Sequence, residues 1–134
     1  MTAISPHPYR TALENRDAEA LMDALHPDVV FKTPGFVEPI EGRQNVLMLF
    51  GVLGTVFEDP EITDELEGDG SHALIFSLSV EGHPIEGVDY LKLDEDGRVR
   101  EITVSMRPLA SVEVLADRMR EAVTNLADNG PNGG

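Results

Sequence analysis

The chain has 134 residues, no cysteine and a formal net charge of −15. That length makes one domain with enough interior to fold without staples, and the missing thiols exclude disulfides, thiol catalysis and thiolate metal centres. The acidic balance argues against nucleic acid and anionic membranes, which need a basic footprint.

Only Lys32 and Lys92 are lysines, against eight arginines, and the excess acid reads as a solvated surface. Met1 to Arg10 lacks the basic-then-apolar pattern of a secretory leader. The longest apolar run, Val46 to Phe57, is short and broken by Gly51 and Gly54, so no membrane span is expected. The expectation is a cytoplasmic protein with one domain over residues 1–127 and a disordered Gly/Asn/Pro tail over 128–134.

Residues 8–25 read as helix, with Tyr9, Ala12, Leu13, Leu21, Met22 and Leu25 at helical spacing. The phase slips near Asn15-Arg16-Asp17, which predicts two short helices with Asp17 capping the second. His26-Pro27 ends the segment, because a residue before proline disfavours helix. Val29 to Thr33 is a short strand stopped by Pro34-Gly35, and Phe36 to Ile40 is an irregular loop. From Arg43 to Phe57 the apolar stripe is wide enough for a buried helix packed in the concavity of a sheet.

Residues 61–107 read as an antiparallel meander. Gly68-Asp69-Gly70, Glu81-Gly82 and Asp96-Gly97 are turn signals at strand-length spacing. Leu74, Phe76, Leu78 and Val80 share one face, with Ile75, Ser77 and Ser79 opposite. Val99 is out of phase with Ile102, which predicts a bulge near Arg100. Ser111 to Leu126 form a last amphipathic helix through Val112, Leu115, Met119, Ala122 and Leu126, with Ser111 as its cap.

One position breaks the pattern. In the run from Gly87 to Leu93, Lys92 marks the outer face together with Val88 and Tyr90. Asp89 then falls among leucines on the inner face, where a carboxylate is costly unless paired, hydrogen-bonded or protonated. Asp89 is therefore the first candidate for a site; the alternatives are an acid satisfied by backbone donors or a strand facing the other way. Phe31, Leu47, Phe50, Leu91 and Met106 are candidates to line a pocket there or to be plain core. Ser77, with Ser79, adds pocket polar groups only if its face is the inner one. The four histidines, His7, His26, His72 and His83, lie beside turns, prolines or termini and share no metal spacing, so each is expected at the surface and no metal is expected.

The order helix, helix, strand, helix, then four meandering strands is α+β. It resembles the nuclear transport factor 2-like superfamily, and within it the SnoaL-like and ketosteroid-isomerase-like groups. Ala12-Leu13, Asp17 to Leu21, His26 to Phe31, Ile40 to Arg43, Gly87 to Asp89, Asp96 to Val99 and Met106 to Pro108 carry the likeness. It implies a cone-shaped half-barrel, one strongly curved and mainly antiparallel sheet wrapped around the N-terminal helices and a long buried helix. It also implies a cofactor-independent isomerase or cyclase acting on a small apolar or carbonyl-containing ligand, in a homodimer formed through the sheet. A non-catalytic binder or an interaction module of the same fold is the other possibility. Carried over by position, Asp89 is the acid or oxyanion donor and Tyr9 its partner. Thr33 stands where the isomerases have their basic aspartate, and Glu38 on the following loop is the one nearby replacement. The Arg-x-Asp pair of the limonene-epoxide-hydrolase branch has no counterpart at Phe76-Ser77-Leu78.

Overall fold

Two short helices open the computed structural model, which describes residues 5–128. Helix α1 (Pro8–Asn15) has proline at its start, where the missing N–H costs nothing. Its cap is His7, whose Nδ1 accepts the Tyr9 N–H at 3.0 Å. The helix closes at Arg16 in the left-handed region, φ 52°. Helix α2 (Ala18–Ala24) starts afresh from Asp17, whose carboxylate accepts the Ala20 N–H. The break and its cap fall where the sequence predicts them.

Strand β1 (Leu25–Lys32) begins at Leu25 rather than Val29. It accommodates His26-Pro27 because its pairing is irregular between Leu25 and Val30, so the proline is not asked for a ladder bond. Thr33 leaves the strand to open a turn, its carbonyl accepting the Phe36 N–H. The loop beyond, irregular by its sequence, contains a two-residue strand, β2 (Ile40–Glu41). Helix α3 (Arg43–Val56) buries Val46, Leu49 and Leu53 and half-buries Leu47, Phe50 and Val56. It is not buried all round, since Met48 lies 51% exposed.

The meander follows as β3 (Glu58–Gly68), β4 (Ser71–Val80), β5 (His83–Leu93) and β6 (Val99–Arg107), turning at the expected Gly-containing signals. The sheet order is β2-β1-β6-β5-β4-β3, antiparallel except that β1 lies parallel to β6. The ladder shifts register between Lys92 and Leu93, and Arg100 is the extra residue, which is the bulge read from the phase of Val99. Lys32 and Lys92, the chain's two lysines, both grip Glu101 on the outer face, at 2.8 and 3.3 Å.

Helix α4 (Leu109–Asp128) starts directly after Pro108, whose carbonyl accepts the Val112 N–H. Ser111 is thus buried inside the first turn instead of capping it. Val112, Leu115, Ala116 and Met119 turn inward. The expected tail beyond Asp128 lies outside the described residues. The result is the expected α+β half-barrel, a curved six-stranded sheet not closed into a barrel, with helices against its concave side.

Gly87 holds a tight place in the concave face, opposite Phe76 on β4 and Met106 on β6. A Cβ there would stand 2.6 Å from the Ser105 carbonyl oxygen and 2.9 Å from Met106 Cγ. The backbone oxygen cannot yield without bending β6. Gly87→Ala is therefore expected to destabilise the fold by about 1–3 kcal/mol. Urea unfolding should show a lowered midpoint with an unchanged slope.

Candidate active site

The concave face and the helices enclose a cavity of about 760 Å³. Tyr9, Ala12 and Leu13 of α1 form one wall, Leu47 and Phe50 of α3 another, and Phe76, Asp89, Val104 and Met106 of the sheet the floor. Leu115 and Met119 of α4 also reach it, so the last helix covers the pocket. The exposed side chains of Glu14, Arg16, Asp17 and Glu61 border the opening.

Asp89 pairs across the sheet with Leu74 on one side and Val104 on the other. Strand alternation therefore puts its carboxyl on the concave face, as predicted. The residue is half-buried by exposure, because it borders the cavity, yet its carboxyl is enclosed by protein atoms. No hydrogen bond or ion pair satisfies it among the described residues. Burial alone pushes its pKa from 3.8 up to about 7. At neutral pH much of the population thus carries an uncharged carboxylic acid, which can donate a hydrogen bond.

Tyr9 is buried, 1% exposed, and borders the same cavity. Burial first, and the nearby Asp89 second, hold its hydroxyl well above its usual pKa. The hydroxyl has no hydrogen-bond partner among the described residues. The ring is fixed by aromatic packing: its centroid lies 6.4 Å from that of Phe50, which in turn meets Phe31 edge-on at 5.2 Å. Thr33 contributes to the lining another hydroxyl without a partner among the described residues.

The structure brings together most residues singled out from the sequence. Tyr9, Phe31, Thr33, Leu47, Phe50, Ser77, Asp89 and Met106 all border the cavity. Ser77 does so from the pleat opposite to Phe76 and Leu78, and Ser79 is not part of the lining. Leu91 does not line it: this residue is fully buried beyond Asp89, where Leu91 pairs with Ile102 and His72 in closed core. Glu38 is exposed in its loop, away from the cavity. The histidines divide. His83 is exposed, but His7 and His72 are buried at 6% and 7%, contrary to the surface placement expected of them, because both bind Glu65. Sequence reasoning missed Leu115 and Met119 of α4 and Ile62 of β3 as cavity residues. Their spacing marks them as inward-facing but cannot say that the space they face is empty.

A family described as SnoaL-like domain matches residues 8–102. Over 89% of each chain, a crystal structure of a steroid delta-isomerase from Pseudomonas aeruginosa is 34% identical, with a TM-score of 0.79. An uncharacterised protein with a cystatin-like fold from Silicibacter pomeroyi is 28% identical over 90% of this chain and 89% of its own, TM-score 0.82. A de novo designed protein with a curved β-sheet shares the fold alone, at 14% identity, covering 88% of this chain and 98% of its own, with a TM-score of 0.67. No curated protein matches significantly.

The isolation of Asp89 has a stability cost with a definite sign. The folded chain holds the Asp89 proton up to about pH 7, whereas the unfolded chain releases it near 3.8. Between those values the folded state binds more protons, so stability is full at low pH and is lost as pH rises through 7. Each unit is worth about 1.4 kcal/mol, which makes the loss on the order of a few kcal/mol. Asp89→Asn should therefore gain on the wild type as pH rises from about 4 to 8, by at least ~1 kcal/mol, when urea unfolding is measured at both ends.

Proposed function

The chain belongs to the SnoaL-like domain family, and from that premise we propose that it is a small-molecule enzyme of isomerase or cyclase type. Its substrate is an apolar compound with a carbonyl group, polyketide-like or steroid-like in character. The observation that carries this reading is the Asp89 carboxyl, unpartnered among the described residues and held protonated up to about pH 7, beside the Tyr9 hydroxyl in an apolar cavity. Two O–H donors in such a place stabilise the oxygen of a carbonyl as negative charge builds on it. They do so more strongly for the enolate than for the ketone, which is what accelerates proton loss from the adjacent carbon. A neutral aspartic acid paired with a tyrosine is the arrangement of ketosteroid isomerases, and the similarity to the Pseudomonas aeruginosa protein supports it.

The proton acceptor differs from the usual one. Thr33 cannot act as a base at neutral pH. Of the carboxylates at the opening, Asp17 caps α2 and Glu14 pairs with Arg10, while Glu61 has no partner among the described residues. In this reading Glu61 takes the proton from the carbon next to the carbonyl and returns it to another carbon, so that nothing is consumed. Thr33 also favours a second reading, a cavity that binds such ligands without turning them over.

Homodimerisation through the outer face of the sheet is part of the proposal, supported by the 43% exposure of Tyr90 there. Sedimentation as a monomer at micromolar concentration counts against it.

The test uses a naphthol whose fluorescence reports its ionisation, bound to wild type, Asp89→Asn and Tyr9→Phe. Ionisation of the bound naphthol in the wild type, lost in Asp89→Asn, is the expected outcome. With a ketone substrate in hand, Asp89→Asn should lower turnover more than tenfold, within the range of general acid–base groups. Unchanged turnover in that variant ends the enzymatic reading, and naphthol bound without turnover of any ketone supports the binder.

A further inference from the structure

A second polar cluster lies outside the cavity, and the proposed chemistry does not use it. Its centre is Glu65 on β3, whose side chain is 1% exposed. Oε2 accepts the His7 backbone N–H at 3.0 Å and lies 2.7 Å from His72 Nδ1, while Oε1 accepts from Arg10 Nη1 at 3.3 Å. His7 Nε2 lies 2.8 Å from the Gly97 carbonyl, and Nδ1 accepts the Tyr9 N–H. The geometry fixes the neutral His7 tautomer, since one ring nitrogen must donate and the other accept. The remaining charged neighbour is Glu67, 3.8 Å from His72 Nε2.

Burying a carboxylate in this way is not the cheapest means of holding a helix to a sheet. Well-packed apolar side chains do so at least as well. What the cluster adds is direction. Two of the three groups that meet Glu65 belong to residues 7 and 10, at the start of α1, and the next bond in the chain runs from His7 to Tyr9. The cluster ties this single turn to β3, to β4 through His72 and to the β5–β6 turn through Gly97. It thereby fixes one end of the helix that carries a wall of the cavity.

We propose that Glu65, acting through His7, is the positioning residue that sets the Tyr9 hydroxyl against Asp89. The role rests on the reading of Tyr9 and Asp89 as a donor pair, but the placement itself can be tested without a ligand. Tyr9 and Tyr90 are the only tyrosines, so Tyr90→Phe leaves Tyr9 as the single position for 3-fluorotyrosine. Its fluorine resonance should shift when Asp89→Asn is added. In Glu65→Leu that response should fall by half or more, with the circular dichroism of a folded protein retained. Ionisation of bound naphthol at saturation should drop at least threefold in Glu65→Leu, and by no more in Tyr9→Phe/Glu65→Leu than in Tyr9→Phe alone.

An unchanged fluorine response to Asp89→Asn in Glu65→Leu overturns the proposal. So do losses that simply add in the double variant, because a general structural role does not depend on Tyr9. If Glu65→Leu does not fold, the nearly isosteric Glu65→Met, which lacks the carboxylate acceptor, takes its place and is judged by the same two criteria. Glu65→Gln, which keeps an acceptor for the His7 N–H, should retain the wild-type fluorine response, and its loss there overturns the route through His7. A wild type that binds naphthol without ionising it sinks the donor-pair reading, and the fluorine comparison then decides the positioning role by itself.

Discussion

A carboxyl group set among apolar side chains must keep its proton or find a cation, and among the described residues no cation pairs with Asp89. Arg10 is engaged with Glu65, and Lys32 and Lys92 with Glu101 on the outer face. Arg16 stands at the opening, where water screens it. Across the sheet, Asp89 meets Leu74 and Val104, which offer no polar atoms beyond backbone already spent in the ladder. The neutral acid is what remains, and its pKa near 7 follows from burial alone. Such a group weakens the fold at neutral pH, so the surrounding core has to offset it.

The cavity that Asp89 faces is a product of the sheet's curvature. A flat sheet under α3 would close onto the helix, whereas a strongly bent one leaves a hollow at its centre. The bulge at Arg100 and the absent side chain at Gly87 both act in this direction, the first by adding twist and the second by admitting Phe76 and Met106 side by side. That a designed curved-sheet protein shares the fold indicates that this geometry follows from backbone rules and needs no function to explain it. What backbone rules do not supply is the pair of O–H groups, Tyr9 and Asp89, placed in the hollow.

Much of this was legible in the sequence, for reasons tied to particular residues. Period-two alternation and Gly-containing turns marked the meander, and Lys92 oriented β5 well enough to place Asp89 inward. The out-of-phase Val99 located the bulge. The strand β2 was illegible because two residues carry no periodicity. His7 and His72 looked like surface residues because burial of a histidine depends on a partner distant in sequence, and Glu65 is 58 positions from one of them. Leu91 reads from the sequence as pocket lining or core alike, because alternation distinguishes inside from outside, not filled core from hollow. The same limit hid Leu115 and Met119, whose helix covers the cavity from the far end of the chain.

Hydrogen-bond satisfaction separates the polar groups of the interior into two kinds. Glu65, His7 and His72 are buried and paired, most of their bonds closing on another element of the fold, which is the usual condition of polar atoms inside proteins. Asp89, the Tyr9 hydroxyl and Thr33 border the cavity and are unpaired by any described residue. Unpaired donors in an apolar cavity are sustained only if water or a ligand completes them. The proposed substrate class, one carbonyl oxygen on an otherwise apolar body, meets both demands at once, filling the hollow and accepting from Asp89 and Tyr9. The polar groups that have partners tie the start of α1 to the sheet, and in the proposed function those without partners are the ones that meet the substrate.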